Sequence, residues 1–158
     1  MKLYKAINNQ LHFWETWDIS KKAGAIHIGK VGERGQYREV SSGFFSNFRN
    51  FIQKEIDQYC ENGYEEIDID DHLTLLIEFT VDGMGTDVDV EKRTRLQDRM
   101  NEVLGWTGLG HCDGGSIGSG TMEVCCYVVD FEIAKKVIVE DLKNTEFANY
   151  TRIFDENE

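Results

Sequence analysis

A glycine-bounded connection in the first part of the chain constrains its fold more than any other feature. Residues 27–36 read His-Ile-Gly-Lys-Val-Gly-Glu-Arg-Gly-Gln, and runs rich in aromatic and β-branched residues lie before and after them. Such runs, bounded by glycine or asparagine, are typical of antiparallel strands joined by short turns. The chain has no proline, so its 15 glycines provide most of the turn signals. The pattern predicts strands at residues 2–7, 10–19, 24–31 and 36–42.

One helix is predicted directly after this sheet, over residues 44–61. Its apolar residues recur at steps of three and four positions, which places them on one face: Phe44, Phe45, Phe48, Phe51, Ile52, Ile56 and Tyr59. Gly63 follows this helix and suits the left-handed position that ends many helices. We interpret the stripe as hydrophobic core and expect the helix to cover one face of the sheet.

The second part of the sequence predicts the order β-α-β-β-α-β. Strands are expected at residues 72–81, 107–112, 121–129 and 148–154, and helices at 90–104 and 131–143. Asp89 and Asp130 are placed as N-caps of the two helices. The acidic stretch Glu65–Asp71 separates the two parts. The sequence therefore predicts an α+β protein with one domain at residues 1–66 and another at residues 67–158.

The charge of the chain is concentrated in its second part. Residues 1–66 contain 9 basic and 9 acidic side chains, whereas residues 67–158 contain 8 basic and 20 acidic ones, which gives the net charge of −12. An excess of carboxylates opposes general nucleic-acid affinity, because binding to phosphates depends on lysine and arginine. It favours a basic protein partner, because opposite charges speed association.

The remaining bulk features predict a cytoplasmic protein that does not bind a membrane. No run of about 18 apolar residues is present, and the N-terminal residues lack the apolar segment of a secretion signal. The four cysteines show no Cys-x-x-Cys spacing and are expected to be reduced thiols. If the hairpin of residues 105–120 turns near Ile117–Gly118, Cys112 comes close to Cys125. No metal site is predicted, because His111 and Cys112 are neighbours on a predicted strand and point apart.

The first part of the chain resembles the WGR domain. The matching residues are Phe13-Trp14-Glu15, Gly29, Gly32, Gly35-Gln36 and Gly63-Tyr64, and the resemblance covers residues 2–64. The family is named for a Trp-Gly-Arg sequence, and here Ile28-Gly29-Lys30 stands in its place. In WGR domains this glycine loop and nearby aromatic residues meet nucleic acid, and in poly(ADP-ribose) polymerases they contact DNA near a strand break.

The resemblance implies a nucleic-acid-binding face in residues 1–66. Its candidate residues are Trp14, His27, Ile28, Lys30, Arg34 and Gln36. Ile28 has no π-face on which a base could stack, and Lys30 can meet a phosphate only as a point charge. The alternative is that the glycines form a tight hairpin and have only a structural role.

A second glycine-rich segment, residues 105–120, is predicted to be a hairpin with a loose tip around Asp113–Ser119. It fits neither a dinucleotide-binding motif nor a P-loop, so no cofactor is predicted. Its Asp113-Gly114-Gly115 sequence resembles a hairpin of small bacterial ferredoxin-like proteins of unknown activity, over roughly residues 73–154. His111, Asp113, Gly114 and Gly115 are the candidate residues of this segment.

These observations favour a bacterial, non-catalytic binding protein. The first hypothesis is an inhibitor-type or immunity-type accessory factor that binds a protein through its acidic half. The second is binding of a DNA end or strand through the WGR-like face, and the third is mimicry of nucleic-acid phosphate by the acidic half. An enzyme is the least supported class, because the sequence contains no catalytic motif.

Overall fold

The computed structural model describes residues 1–43 and 47–157 and has an α+β fold. Its described residues form three α-helices and two antiparallel four-stranded sheets. The chain divides into unit 1, Met1–Asp68, and unit 2, Ile69–Glu158. This division falls within the acidic stretch that the sequence marks as a boundary. In the described residues, no helix combines the length and the apolar character needed to cross a lipid bilayer.

Unit 1 is a meander of four strands followed by one helix. The strands are β1 (Lys2–Ile7), β2 (Gln10–Ser20), β3 (Ala23–Lys30) and β4 (Gln36–Ser41), in that spatial order, and the helix is α1 (Phe48–Glu61). The predicted sheet with one following helix is therefore confirmed. Asn47 caps α1 through its side chain, and Gly63 has the expected positive φ of 81°. Phe44 and Phe45 of the predicted helix lie outside the described residues.

The core of unit 1 lies between α1 and one face of the sheet. Alternate residues of three strands meet the first turns of α1, and the buried cluster consists of Leu3, Trp14, Ile26, Phe48 and Ile52. A Cβ at Gly24 would lie 2.8 Å from Cδ1 of Ile52 and 2.9 Å from the ring of Phe48, so glycine lets the helix approach β3 closely. Phe51 is 46% exposed and lies under the guanidinium of Arg38, so its prediction as a core residue is wrong.

Unit 2 has the predicted order β-α-β-β-α-β. Its elements are β5 (Leu73–Thr80), α2 (Asp87–Trp106), β6 (Gly110–Gly118), β7 (Thr121–Val128), α3 (Phe131–Leu142) and β8 (Arg152–Asp155). The sheet has the spatial order β6-β7-β5-β8, and every neighbouring pair is antiparallel. Buried residues of the two helices, such as Met100 and Ile138, and the alternate buried residues of the strands form the core of this unit.

Several boundaries in unit 2 differ from the prediction, and the largest differences concern α2, β6 and β8. Helix α2 begins at Asp87, because Thr86 is its N-cap and Asp89 completes a capping box with Thr86 instead of capping the helix itself. Asp130 caps α3 as predicted. The segment predicted as a loose glycine-rich tip belongs to β6, which continues to Gly118. The last strand begins only at Arg152, so residues 148–151 of its predicted range lie outside it.

Candidate functional site

A cleft in unit 1 brings the glycine loop next to two tyrosine rings. The cleft has a volume of about 360 Å³. Residues of β2, of β3 and the following loop, and of the end of α1 line it: His12, Phe13, Ile28, Gly29, Lys30, Glu33, Arg34, Gly35, Gln36, Tyr59 and Tyr64. A neighbouring hollow of about 430 Å³ shares both tyrosines and adds Lys5 and Arg38 to its lining. Each of the two has a volume in the range of small-molecule sites.

Two glycines shape this cleft because they allow the loop to lie against β3. A Cβ at Gly29 would come within 2.8 Å of the Cα of Gly35, and within 3.1 Å of the ring of Phe13. A Cβ at Gly35 would overlap the carbonyl oxygen of Ile28 and lie 2.8 Å from Nε2 of His27. Larger residues at either position would push the loop away from the strand. The spacing of the glycines therefore has a packing reason in addition to any functional one.

The charges of the cleft are partly balanced. Lys30 has a 42% exposed side chain and lies 3.7 Å from a carboxylate oxygen of Glu33. In the neighbouring hollow, Nη2 of Arg38 donates to both carboxylate oxygens of Glu55, at 2.5 and 2.6 Å. Binding of a phosphate by these cations would therefore compete with carboxylates already present.

The aromatic wall of the cleft is formed by Tyr59 and Tyr64. Their rings are nearly perpendicular, at 84°, with centroids 4.9 Å apart. Burial raises the pKa of both phenols, and the charge of Glu55 raises that of Tyr59 further. Both side chains therefore remain neutral at physiological pH and offer a ring face and a hydroxyl to a ligand.

The cleft contains four of the six candidate residues that the resemblance implied: Ile28, Lys30, Arg34 and Gln36. Trp14 and His27 do not line it. Trp14 is 0% exposed in the core, with its ring 5.3 Å from that of Tyr59. His27 is 1% exposed, and its Nδ1 lies 2.7 Å from Oε1 of Glu15. From the sequence, Tyr59 was predicted to be part of the apolar stripe of the helix, and Tyr64 was part of the match to the WGR domain. Only the fold shows that both residues line the cleft.

The glycine-rich segment of unit 2 forms a strand with a bulge. The pairing between β6 and β7 shifts between Cys112 and Gly115, so Asp113 and Gly114 form the irregular part. Gly114 has a φ of 100°, and a Cβ at Gly115 would overlap the carbonyl oxygen of Glu123. The predicted loose tip is thus corrected to an ordered strand in which glycine permits a left-handed residue and a close strand contact.

The cysteines of unit 2 correct a second expectation. Cys112 and Cys126 are directly opposite residues of β6 and β7, and their sulfur atoms form a disulfide. The sequence predicted four reduced thiols and placed Cys112 near Cys125. Cys125 is instead a free, partly exposed cysteine on the other face of the sheet, because neighbouring residues of a strand point to opposite sides. Cys60 in unit 1 is also free and is exposed.

One face of the unit 2 sheet is partly exposed and rich in carboxylates. The side chains on this face alternate along the strands with those of the buried core. We call this surface the open face, and its residues are His111, Asp113, Glu123, Cys125, Tyr127, Leu76, Phe154 and the adjacent Glu156. Burial raises the pKa of the Cys125 thiol, and the negative charges of Glu156, Asp113 and Glu123 raise it further. The interaction with Cys125 is the main cause that raises the pKa of Tyr127, and the negative charges of Asp113 and Glu156 raise it further.

The open face also contains one internal ion pair. Arg152 donates from Nε and Nη2 to the two carboxylate oxygens of Glu78, at 3.1 and 2.9 Å. Glu78 is buried, whereas Arg152 is exposed and its guanidinium carbon lies 3.9 Å from the ring centroid of Phe154. Hydrogen bonds with Glu78 raise the pKa of Arg152. A guanidinium is therefore held here both by a carboxylate and by an aromatic ring.

Comparison of the chain with known protein families, curated proteins and solved structures finds no significant match. No family model matches the chain, and no curated protein or solved structure matches it significantly. The fold and the two surfaces define the class of the protein as a two-unit α+β protein with a mixed-charge cleft in unit 1 and a carboxylate-rich open face in unit 2.

Proposed function

We propose that the protein is a non-catalytic binding protein that engages a basic protein partner through unit 2, as an inhibitor-type or immunity-type accessory factor. The observation that carries this proposal is the charge distribution. Residues 67–158 contain 20 acidic and only 8 basic side chains, whereas residues 1–66 are balanced. Such a surface steers a partner of opposite charge toward it and disfavours other partners.

The fold of unit 2 is consistent with this role. Its strand order β6-β7-β5-β8 and its two helices support our proposal that the unit is ferredoxin-like. The helices leave one sheet face partly exposed, and the carboxylates of Asp113 and Glu156 on that face are exposed to solvent. A partly exposed, charged surface suits recognition of a macromolecule better than chemistry on a small substrate, which needs an enclosed pocket.

The proposal predicts an electrostatically steered complex. The purified full-length chain would be used to capture its partner by cross-linking in cell extract, and binding would then be measured with both purified proteins by stopped-flow fluorescence. The partner is expected to carry an excess of lysine and arginine. The association rate constant should fall by about tenfold or more between low and high salt, because screening removes the steering.

A contrary result is clearly defined. If mixing finds no protein partner, and the chain instead binds nucleic acid tightly, the proposed function is wrong. A purified partner that is neutral or acidic, with an association rate insensitive to salt, would contradict it equally.

We propose nucleic-acid binding in the unit 1 cleft as a second candidate function, with unit 1 as a WGR-like domain. The grouping of Lys30, Arg34 and Gln36 with the rings of Tyr59 and Tyr64 favours it. Cations can contact phosphates, an amide can contact a base or sugar, and a phenol ring can stack on a base. The carboxylates of Glu33 and Glu55 oppose this function, which is why it ranks second.

The second function predicts a specific loss in the variant Lys30→Ala. Anisotropy would be measured with fluorescent 5′-phosphorylated duplex and nicked DNA, at low and moderate salt. Removal of one phosphate contact should weaken binding and lower the slope of log affinity against log salt by about 1. Lys54→Ala is the matched control, because Lys54 is an exposed lysine of α1 outside the cleft lining. Equal affinities and slopes for the two variants would exclude the cleft as the binding site.

A further inference from the structure

Within the described residues, the carboxylates of Asp113, Glu123 and Glu156 are not bound by a cationic side chain, although the charge of Glu123 acts on nearby Arg152, which is bound to Glu78. In residues 1–43 and 47–157, no lysine or arginine forms a salt bridge with Asp113, Glu123 or Glu156. Glu123 accepts a hydrogen bond from the hydroxyl of Ser116, at 3.0 Å. The charges of all three act on the partly exposed Cys125, and those of Asp113 and Glu156 act on Tyr127 as well. This surface therefore attracts a cation that can also cover apolar area.

The internal ion pair of the same face shows which cation fits. Arg152 combines two hydrogen bonds to Glu78 with stacking on Phe154. Glu123 is the register partner of Glu78 on the adjacent strand, and Tyr127 lies one pairing row beyond Cys125. The open face thus places one further carboxylate beside the pair already occupied by the chain's own arginine. Farther along β7 it places a further ring, that of Tyr127, within reach of the charges of Asp113 and Glu156. A planar guanidinium can repeat this arrangement, whereas the ammonium of lysine can neither stack nor form two parallel hydrogen bonds.

We propose that the open face is the docking surface for an arginine-bearing segment of a basic protein partner. The guanidinium groups of this segment pair with Asp113, Glu123 and Glu156, and one of them lies against the ring of Tyr127. This inference rests on the proposed function, and it adds the location of the interface and the preferred side chain. The acidic residues on the exposed sides of α2 and α3 contribute to steering without touching the segment.

The test compares two triple variants of the full-length chain. The first variant, Asp113→Asn, Glu123→Gln, Glu156→Gln, removes the carboxylates of the open face. The matched control, Glu91→Gln, Glu102→Gln, Glu132→Gln, removes the same charge from exposed positions of α2 and α3. The probes are fluorescein-labelled short peptides in which glycine alternates with arginine, with lysine or with glutamate, and binding is measured by anisotropy. Circular dichroism verifies that both variants remain folded.

The arginine peptide is expected to bind the unchanged chain more tightly than the lysine peptide, and the glutamate peptide is expected not to bind. The open-face variant should weaken arginine-peptide binding by at least about tenfold, and the control variant by less than about threefold. Tyr127→Leu should reduce the preference for arginine over lysine, because the stacking surface is lost.

Two results overturn the inference in distinguishable ways. The open face is not the docking surface if both triple variants weaken binding equally. The same conclusion follows if lysine and arginine peptides bind alike and Tyr127→Leu has no effect. In either case the proposed function, binding of a basic partner by the acidic unit, is not contradicted. If none of the basic peptides binds the unchanged chain, while the salt-dependent partner measurement also fails, the proposed function is lost together with the inference.

Discussion

Trp14→Ala is expected to unfold unit 1. Trp14 is 0% exposed and packs with Leu3, Ile26, Phe48 and Ile52, so truncation leaves a large cavity between the sheet and α1. Substitutions of this size in a core cost about 3–5 kcal/mol in the free energy of unfolding. A unit of this size has little more stability than that to lose. Hydrogen exchange of the backbone amides in β2 and β3, followed by mass spectrometry or NMR, measures the loss within unit 1 directly.

Trp14→Phe is the matched control. It keeps an aromatic ring in the core and removes an indole N–H that has no hydrogen-bond acceptor in the part of the chain that the structure describes. Its loss in the free energy of unfolding should be much smaller than that of Trp14→Ala. Normal protection of β2 and β3 in Trp14→Ala would contradict the placement of Trp14 in the core. Such a result would support the hypothesis, implied by the WGR resemblance, that Trp14 is part of a ligand-binding face.

Gly35→Ala is expected to displace the loop that forms the cleft. The added Cβ overlaps the carbonyl oxygen of Ile28 and lies 2.9 Å from the carbonyl carbon of the same residue, and backbone atoms cannot yield as a flexible side chain can. Overpacking of this kind costs about 1–3 kcal/mol in the free energy of unfolding, and sometimes more. Urea unfolding followed by circular dichroism gives the change in stability.

Gly105→Ala is the control for this substitution. Gly105 lies in α2, and apart from its own helix no described residue has an atom within 4 Å of its added Cβ, so alanine should stabilise the helix by roughly 0.5–1 kcal/mol. Opposite signs for the two variants are the expected result. A neutral Gly35→Ala would show that the loop does not lie against β3.

The order of strands and helices along the chain could be predicted from the sequence in both units because their turns carry clear signals. Asn8-Asn9 adopts positive φ angles between β1 and β2, and Gly63 ends α1 as expected. The start of α2 was missed although the sequence contained its signal. Thr86-Asp87-Val88-Asp89 has the spacing of a capping box, in which the threonine caps the helix and the second aspartate hydrogen-bonds back to it.

Features that depend on tertiary contacts could not be read from the sequence. Glycines in β6 resembled a loop, but the strand needs them where its backbone lies against carbonyl oxygens of β7. The predicted neighbour of Cys112 across the hairpin, Cys125, differs by one residue from the observed partner Cys126, and a shift of one residue exchanges the two faces of a strand. Likewise, Tyr59 and Tyr64 become cleft residues only when the end of α1 lies beside the glycine loop.

The most direct test of the account is a comparison of two probes on the same full-length protein. Anisotropy titrations with the arginine–glycine peptide and with 5′-phosphorylated nicked DNA, under identical salt conditions, ask which class of partner the chain prefers. We expect the peptide to bind more tightly and the triple variant of the open face to lose most of this binding. Tight binding of the DNA, weakened by Lys30→Ala and accompanied by no binding of the peptide, would contradict the account and make the unit 1 cleft the functional site.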